Sequence, residues 1–167
     1  MPALVFALFV LVGLVWIALA IFVLDSHRRR APSAGAVPSV TILKPLSGVD
    51  DDLEANLATF FVQDHPRYEL VFGALVGDPA LEVARALAAQ NPGVVARFVE
   101  HDGGRGLNPK VSNLRAMLVA ARHDVLVISD SNVFVHPGYA REMAARLSEH
   151  GVGLVTSFVC GAGEETL

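Results

Sequence analysis

The stretch 125-VLVISDSNVFV-135 begins as a run of apolar residues and then presents Asp130, Ser131 and Asn132 before it turns apolar again. Val, Leu and Ile in so short a run favour a β-strand buried on both faces, as strands of parallel sheets are. A carboxylate is costly to bury without a partner, so an aspartate at the end of such a strand needs an explanation. The stretch therefore indicates a parallel sheet with a polar site at one strand end.

The rest of the chain supports this fold class, because short apolar runs alternate with segments of helical period. Helices are expected near residues 52–62, 79–90, 110–122 and 137–150, and strands at 39–43, 68–76, 94–99, 125–129 and 152–156. In open parallel sheets, ligands bind at the carboxyl ends of the strands. The positions to examine are therefore 44–45, 77–78, 101–109 and 130–132.

The N-terminus has a different character, since residues 1–24 contain no charged side chain. A helix from Ala3 to Leu24 would reach about 33 Å, enough for a hydrocarbon core of about 30 Å. A cleaved signal peptide would need a basic n-region, a shorter apolar core and a small-residue cleavage site, and the sequence shows none of these. Arginines at 28–30 follow the apolar run, and such clusters stay in the cytoplasm. We predict a transmembrane helix at 1–25 with its N-terminus outside, a linker at 26–38 and a cytosolic domain at 39–167.

Composition and motif spacing exclude several classes of protein. The net charge of −4 gives no reason to propose a nucleic-acid partner, and the single cysteine, Cys160, cannot form an internal disulfide. The segment 103-GGRGLNPK-110 fits neither a P-loop nor a dinucleotide-binding fingerprint. The histidines lack metal-ligand spacing, and no Gly-x-Ser-x-Gly elbow is present.

Two interpretations of Asp130 remain open from the residues alone. Its side chain either closes the strand in an Asx turn or serves as a hard oxygen ligand that holds Mg²⁺ or Mn²⁺ against a diphosphate. Asn132 would assist such a metal site through its carbonyl oxygen, more weakly than a second carboxylate would.

Lys110 and Asp78 are the other charged candidates. Lys110 opens a predicted helix, where the macrodipole disfavours a cation unless an anion lies nearby. With Arg105 just upstream, a phosphate is a natural counter-ion, and a solvated lysine is the alternative. Asp78 precedes a proline at the predicted helix start, so it is either an N-cap or a hydrogen-bonding partner for the base or ribose of a nucleotide.

The motifs together resemble those of a known family. The segments 41-TILKPLSGVDDDLEANLATFFVQDHPRYELVFG-73, 77-GDPALEVARAL-87, 106-GLNPKVSNL-114 and 123-HDVLVISDSNVFV-135 are similar to the ceramide glucosyltransferase family, whose bacterial relatives include the hopanoid-associated glycosyltransferases. The likeness runs from about Val40 to Val155. The pair Lys-Pro-Leu-x-Gly-Val-Asp and Asn-Pro-Lys-x-x-Asn-Leu is much more specific than either motif alone.

The resemblance implies a nucleotide-sugar domain of the GT-A type at the cytosolic membrane face, which transfers glucose with inversion from UDP-glucose to the primary hydroxyl of ceramide. It places Asp78 at the nucleotide and makes Asp130 the aspartate of an Asp-Ser-Asn version of the Asp-x-Asp metal motif. Lys44, Lys110 and Asn113, all within the two specific motifs, join Asp78 in the expected nucleotide-sugar site.

In this family the catalytic base and an Arg-Trp motif lie further along the chain, so we expect the base beyond Leu167 and assign it to neither Glu164 nor Glu165. The chain is expected to be an N-terminal fragment that holds a nucleotide weakly and does not turn over alone. A hexose or GlcNAc transferase acting on a hopanoid or diacylglycerol lipid is an alternative with the same donor half. A non-catalytic, membrane-anchored remnant is an alternative of another class, and an oxidoreductase is a distant third.

Overall fold

The structure is a computed structural model that describes residues 2–29, 37–104, 108–159 and 161. The chain divides into two compact units, residues 1–33 and residues 34–167.

The N-terminal unit is one helix, α1 (Pro2–Arg29). Within it, Val5–Ser26 spans 22 residues with a mean hydropathy of 3.0, and no part of the span is buried inside the protein. This segment is long and apolar enough to be a candidate membrane span. The helix predicted at 1–25 is therefore present and continues to Arg29, while residues 30–36 of the predicted linker lie outside the described residues.

The second unit is built on a four-stranded parallel sheet with the order β3-β2-β1-β4. Its strands are β1 (Val40–Pro45), β2 (Tyr68–Leu75), β3 (Val95–His101) and β4 (Val125–Ile128). Its helices are α2 (Leu53–Ala58), which continues as a 3₁₀ turn (Thr59–Val62), α3 (Ala80–Gln90), α4 (Pro109–Leu118) and α5 (Tyr139–Leu147). The parallel α/β fold predicted from the alternation of apolar runs is confirmed.

The direction in which the strands are added reverses once, and this reversal places the helices on both faces. From β1 the chain moves outward to β2 and β3, and then returns to add β4 on the other side of β1. Because such crossovers are right-handed, α4, which runs back from β3 to β4, covers the face opposite to that covered by α2 and α3. One face packs on α2, α3 and α5 around Phe60 and Phe72, and the other packs on α4 around Val71 and Met117. The switch point lies between β1 and β4, where ligands bind in open α/β sheets.

Two predictions about the sheet are wrong. Residues 152–156 are described and form no strand. Nor is β4 buried on both faces, since Val127 is 7 % exposed but Ile128 is 55 % exposed. The physical reason is that β4 lies at the edge of the sheet formed by the described residues, while α4 packs mainly over β1, β2 and β3.

Candidate functional site

Asp130 lies just beyond the end of β4, and its side chain faces solvent. The carboxylate is 52 % exposed and pairs with the ammonium group of Lys110, which is 50 % exposed, at 2.5 Å between Nζ and Oδ1. The expectation that a buried carboxylate ends this strand is therefore wrong. An ion pair this exposed contributes little to folding stability, so both charges stay available to a ligand.

The buried charge at this edge is Lys44 instead. It lies at the carboxyl end of β1 with no exposed surface, and its Nζ donates to Ser129 Oγ at 3.3 Å and to the backbone carbonyl of Asp130. The same Nζ lies 3.8 Å from the centroid of the Phe60 ring. Burial lowers the pKa of Lys44 to about 7, although the negative charge of Asp130 opposes the shift.

Lys110 reaches Asp130 because of the way in which α4 begins. Asn108 is the N-cap, its side chain accepts a hydrogen bond from the N–H of Val111 at 3.3 Å, and Pro109 takes the first helical position. The prediction that Lys110 opens a helix is confirmed. The upstream Arg105 lies outside the described residues.

A cavity of about 700 Å³ opens beside the Lys110–Asp130 pair, across the carboxyl ends of the strands. Three segments line most of it: the loop after β1, the end of β3 with the start of α4, and the loop after β4. Their polar members are Ser47, Asp50, His101, Asp102, Asn108, Lys110, Asn113, Asp130, Ser131 and Asn132. Of the predicted site residues, the structure therefore brings together Lys110, Asn113, Asp130 and Asn132.

Asn113 contributes to the floor of this cavity and is only 6 % exposed. Its Nδ2 donates to the carbonyl of Gly73 at 2.8 Å and to that of Leu46 at 3.4 Å, so one amide connects α4, β2 and the loop after β1. Its Oδ1 has no hydrogen-bond partner among the described residues. A Cβ at Gly73 would lie 2.3 Å from that Oδ1, so glycine is what permits the approach.

Lys44 does not line the cavity. Nor does Asp78 line it with the other predicted residues. Its carboxylate accepts the N–H of Ala80 at 2.9 Å and that of Gly48 at 3.0 Å. The first contact lies at the start of α3, as predicted for Asp78, although Pro79 takes the N-cap position itself. The second fixes the loop after β1 at Gly48, whose positive φ of 69° suits glycine. That loop carries the Ser47 and Asp50 side chains of the cavity.

Sequence reasoning missed several residues of the cavity as individuals. Ser47 and Asp50 lie in the same motif as Lys44, and His101 and Asp102 end the third strand, so their position directly after a strand was the available signal. The Nδ1 atom of His101 accepts the N–H of Gly103 at 3.0 Å, which holds the start of the loop before α4.

The donor atoms fit a metal ion that is shared with a ligand better than one held by protein alone. Among the described residues, no group of three or more His, Cys, Asp and Glu side chains could hold a metal. Asp130 does offer a half-exposed carboxylate beside the exposed Asn132. Mg²⁺ is commonly held by one or two carboxylates together with substrate phosphates and water, and this set matches that pattern.

The comparisons with known proteins first define the class. The fold resembles that of S. aureus TarS 1–349, with a TM-score of 0.54 at 16 % identity over 67 % of this chain and 33 % of that one. The complex of S. aureus TarS 1–349 with UDP-GlcNAc gives a TM-score of 0.52 at 18 % identity, over 67 % of this chain and 32 % of that one. The domain is therefore an α/β fold of the GT-A glycosyltransferase type.

The family follows from the sequence, since the chain belongs to Glycosyl transferase family 21, whose model matches residues 5–167. It is 34 % identical to ceramide glucosyltransferase 1 of Caenorhabditis elegans over 74 % of this chain and 27 % of that protein. It is 38 % identical to the ceramide glucosyltransferase of Komagataella phaffii over 68 % of this chain and 23 % of that protein. The family predicted from the motifs is confirmed, and the chain spans about a quarter of the length of these relatives.

Proposed function

We propose that this chain carries the donor site of a membrane-anchored, inverting glycosyltransferase that transfers glucose from UDP-glucose to ceramide. The observation that carries the proposal is the half-exposed Lys110–Asp130 pair at the switch point of the sheet, beside a polar cavity. Membership of the family supports the reaction class, and the names of the two relatives support glucose and ceramide. The TarS complex supports a UDP-sugar as the donor.

The diphosphate of the donor is proposed to bind at Lys110. This residue lies in the first turn of α4, where free N–H groups and the helix macrodipole attract anions. Its ammonium group contacts Asp130 in the structure and can exchange that carboxylate for a phosphate oxygen. As UDP leaves, negative charge develops on the diphosphate, and a cation fixed at this position stabilises that charge.

Asp130 and Asn132 are the residues proposed to hold a Mg²⁺ or Mn²⁺ ion that would accompany the diphosphate. Asp130 is the strong ligand, and Asn132 is a weaker one through its side-chain carbonyl oxygen. Such an ion supplies additional electrostatic stabilisation of the leaving group when it is bound.

The other predicted residues are proposed to shape the site. The contact of Asp78 with Gly48 supports a role in fixing the loop that meets the nucleoside, and its carboxylate is the partner proposed for the base or ribose. Asn113 holds α4 against β2 and so sets the distance from Lys110 to the sheet.

The helix α1 is proposed to cross the membrane with its N-terminus outside and the domain in the cytosol. Its length and hydropathy support a span, and the arginines at 28–30 support the orientation. A lipid acceptor then stays in the same bilayer while the donor arrives from the cytosol. Protease added to sealed spheroplasts should leave the domain intact until the membrane is lysed, and cleavage before lysis would contradict this orientation.

Equilibrium dialysis against labelled UDP-glucose, UDP-GlcNAc and GDP-mannose tests the donor site, with Lys110→Ala and Arg141→Ala compared in detergent-solubilised full chain. Arg141 is a matched control because it also pairs with one exposed carboxylate, that of Asp64, at 3.0 Å. We expect wild type to retain UDP-glucose and Arg141→Ala to bind it equally well. Lys110→Ala should lose about 10-fold in affinity, because a charge-assisted contact worth about 1.5–3 kcal/mol is removed.

The other outcomes separate the competing functions. Preference for UDP-GlcNAc would favour the alternative function, a GlcNAc transferase that acts on a hopanoid or diacylglycerol lipid. Absence of binding by all three donors would overturn the proposal and favour a membrane-anchored remnant.

A further inference from the structure

Lys44 is one of the largest side chains without exposed surface among the described residues, and the only charged one among those largest side chains. Burial of an ammonium group is costly unless its donors are satisfied, so a lysine in this position calls for a specific function. Leucine or methionine would fill a similar volume at lower cost. The cost is therefore offset by something that only a long side chain with a donor provides.

The contacts of Nζ show what that is. One donor reaches Ser129 Oγ at 3.3 Å, another reaches the carbonyl of Asp130, and the Phe60 ring lies on a third side with its centroid at 3.8 Å. Both oxygen acceptors belong to the segment that leaves β4. Lys44 thus connects the end of β1 to the two residues in which β4 turns into the site.

The backbone cannot make this connection. The ladder between β1 and β4 ends with Leu43 opposite Ile128 and with the N–H of Ser129 donating to the carbonyl of Leu43 at 3.1 Å. The next residue of β1 that would donate is Pro45, which has no N–H. The Lys44 side chain supplies the missing donor one residue further along, at the carbonyl of Asp130.

We propose that Lys44 is a positioning residue for Asp130, which by donating to the Asp130 carbonyl from beneath sets the direction in which the carboxylate projects toward the diphosphate. This inference rests on the proposed donor site and adds a residue that does not touch the ligand itself. In the structure, Lys44 contacts the backbone carbonyl of Asp130 and Lys110 contacts its carboxylate; only the Lys44 contact is proposed to persist when the diphosphate binds.

The test compares Lys44→Met with Leu43→Met in the detergent-solubilised full chain. Leu43 is its neighbour on β1, is 1 % exposed and packs against Val71 and Met117 on the other face. Methionine at position 44 keeps most of the volume of the lysine side chain without its donor, and replacement of a buried charge by an apolar group of similar volume is often neutral or stabilising. Lys44→Gln, whose side chain is one bond shorter, is a second variant with the same expected defect.

The measurement is the factor by which Mn²⁺ tightens UDP binding, taken from calorimetric titrations with and without the ion. We expect Lys44→Met and Lys44→Gln to lose about 10-fold of this factor, as outer-shell partners of metal sites commonly do, while Leu43→Met keeps it. A thermal melt alongside should show that Lys44→Met is at least as stable as wild type, which a merely structural role would not produce.

A double-mutant cycle links the effect to Asp130. In the Asp130→Ala background, Lys44→Met should cause no further loss, because the group that it positions is gone. Losses that add up, or an unchanged Mn²⁺ factor in Lys44→Met, would overturn the inference and leave the donor site standing. Wild type without Mn²⁺-dependent UDP binding would instead contradict the proposed metal site, and the inference with it.

Discussion

The two ends of the sheet each hold a carboxylate with a cation, but only one end is closed. At the amino end, Glu69 is 2 % exposed and its oxygens accept hydrogen bonds from Thr41 Oγ1 at 2.8 Å, from the N–H of Arg122 at 2.7 Å and from Arg97 Nε at 3.0 Å. At the carboxyl end, the described contacts of Asp130 leave its carboxylate half-exposed beside one lysine.

The difference separates a carboxylate that stabilises the fold, Glu69, from one that is accessible to a ligand, Asp130. Burial by itself raises the pKa of Glu69, but the hydrogen bonds from Thr41, the Arg122 N–H and Arg97 outweigh it and leave that pKa lowered. The protein therefore stabilises the charge of Glu69 fully, with no room for a ligand. At the carboxyl end, the buried Lys44 donates a hydrogen bond to the backbone carbonyl of Asp130, and the Asp130 carboxylate stays accessible.

Glu69→Ala should have the largest effect on stability. It leaves Arg97, Thr41 and the Arg122 N–H without their shared partner, and loss of one member of a buried ion pair costs about 3–5 kcal/mol. Urea denaturation measures the loss, with Glu82→Ala as the control, since Glu82 pairs with Arg85 but its side chain is 77 % exposed. A loss in Glu69→Ala no greater than in the control would remove the contrast between the two ends.

Gly73→Ala should lower the free energy of unfolding by up to about 3 kcal/mol, as overpacking does. The new Cβ would lie 2.3 Å from Asn113 Oδ1 and 2.4 Å from Met117 Cγ, so α4 must move away from β2. Because α4 carries Lys110, UDP binding should weaken as well. Gly93→Ala is the control, since a Cβ there meets no atom within 4 Å; equal stability of the two variants would contradict the tight packing of α4.

The stability of the protein should rise with pH because of Lys44. The pKa of Lys44 is lowered from 10.5 to about 7 in the folded chain, so above pH 7 the unfolded state binds more protons than the folded state. Wild type should gain about 2 kcal/mol relative to Lys44→Met between pH 7 and pH 9. Denaturation in metal-free buffer measures this difference, and a pH-independent difference would mean that Lys44 keeps its ordinary pKa.

Asp130→Ala should have the smallest effect on folding. Exposed ion pairs contribute about 0–1 kcal/mol, so the free energy of unfolding should change by about 0.5 kcal/mol or less. Asp64→Ala, which breaks another exposed pair, should behave alike. A loss of about 2 kcal/mol or more in Asp130→Ala alone would show that the carboxyl end is as structural as the amino end.

Sequence patterns predicted the four strands to within two residues, because β-branched runs and turn residues mark them directly. They failed at residues 152–156, where an apolar run indicates a strand but no described neighbour pairs with it. Whether a segment pairs as a strand depends on which segments lie beside it in space, and the local sequence pattern does not show this.

Only part of the candidate site could be predicted from the sequence, for a similar reason. Position after a strand identified Asp130 and Asn132, since ligands bind at the carboxyl ends of parallel strands, and position at the start of a helix identified Lys110. Packing decides which of the two charged side chains, Lys44 or Asp130, is buried. Lys44 Nζ lies against the Phe60 ring, whereas Asp130 lies just beyond the end of β4 and faces solvent. Nothing in the local sequence distinguishes them, so the desolvation cost was assigned to the wrong residue.

Electron paramagnetic resonance of Mn²⁺ tests most directly that Asp130 holds the metal of a nucleotide diphosphate. Mn²⁺ is titrated into UDP alone, and then into UDP with wild type, Asp130→Ala or Asp64→Ala, while the signal of free Mn²⁺ is followed. We expect wild type and Asp64→Ala to remove more free Mn²⁺ than UDP alone does, and Asp130→Ala to remove no more than UDP does. If Asp130→Ala removes as much as wild type, the metal lies elsewhere and the central claim fails.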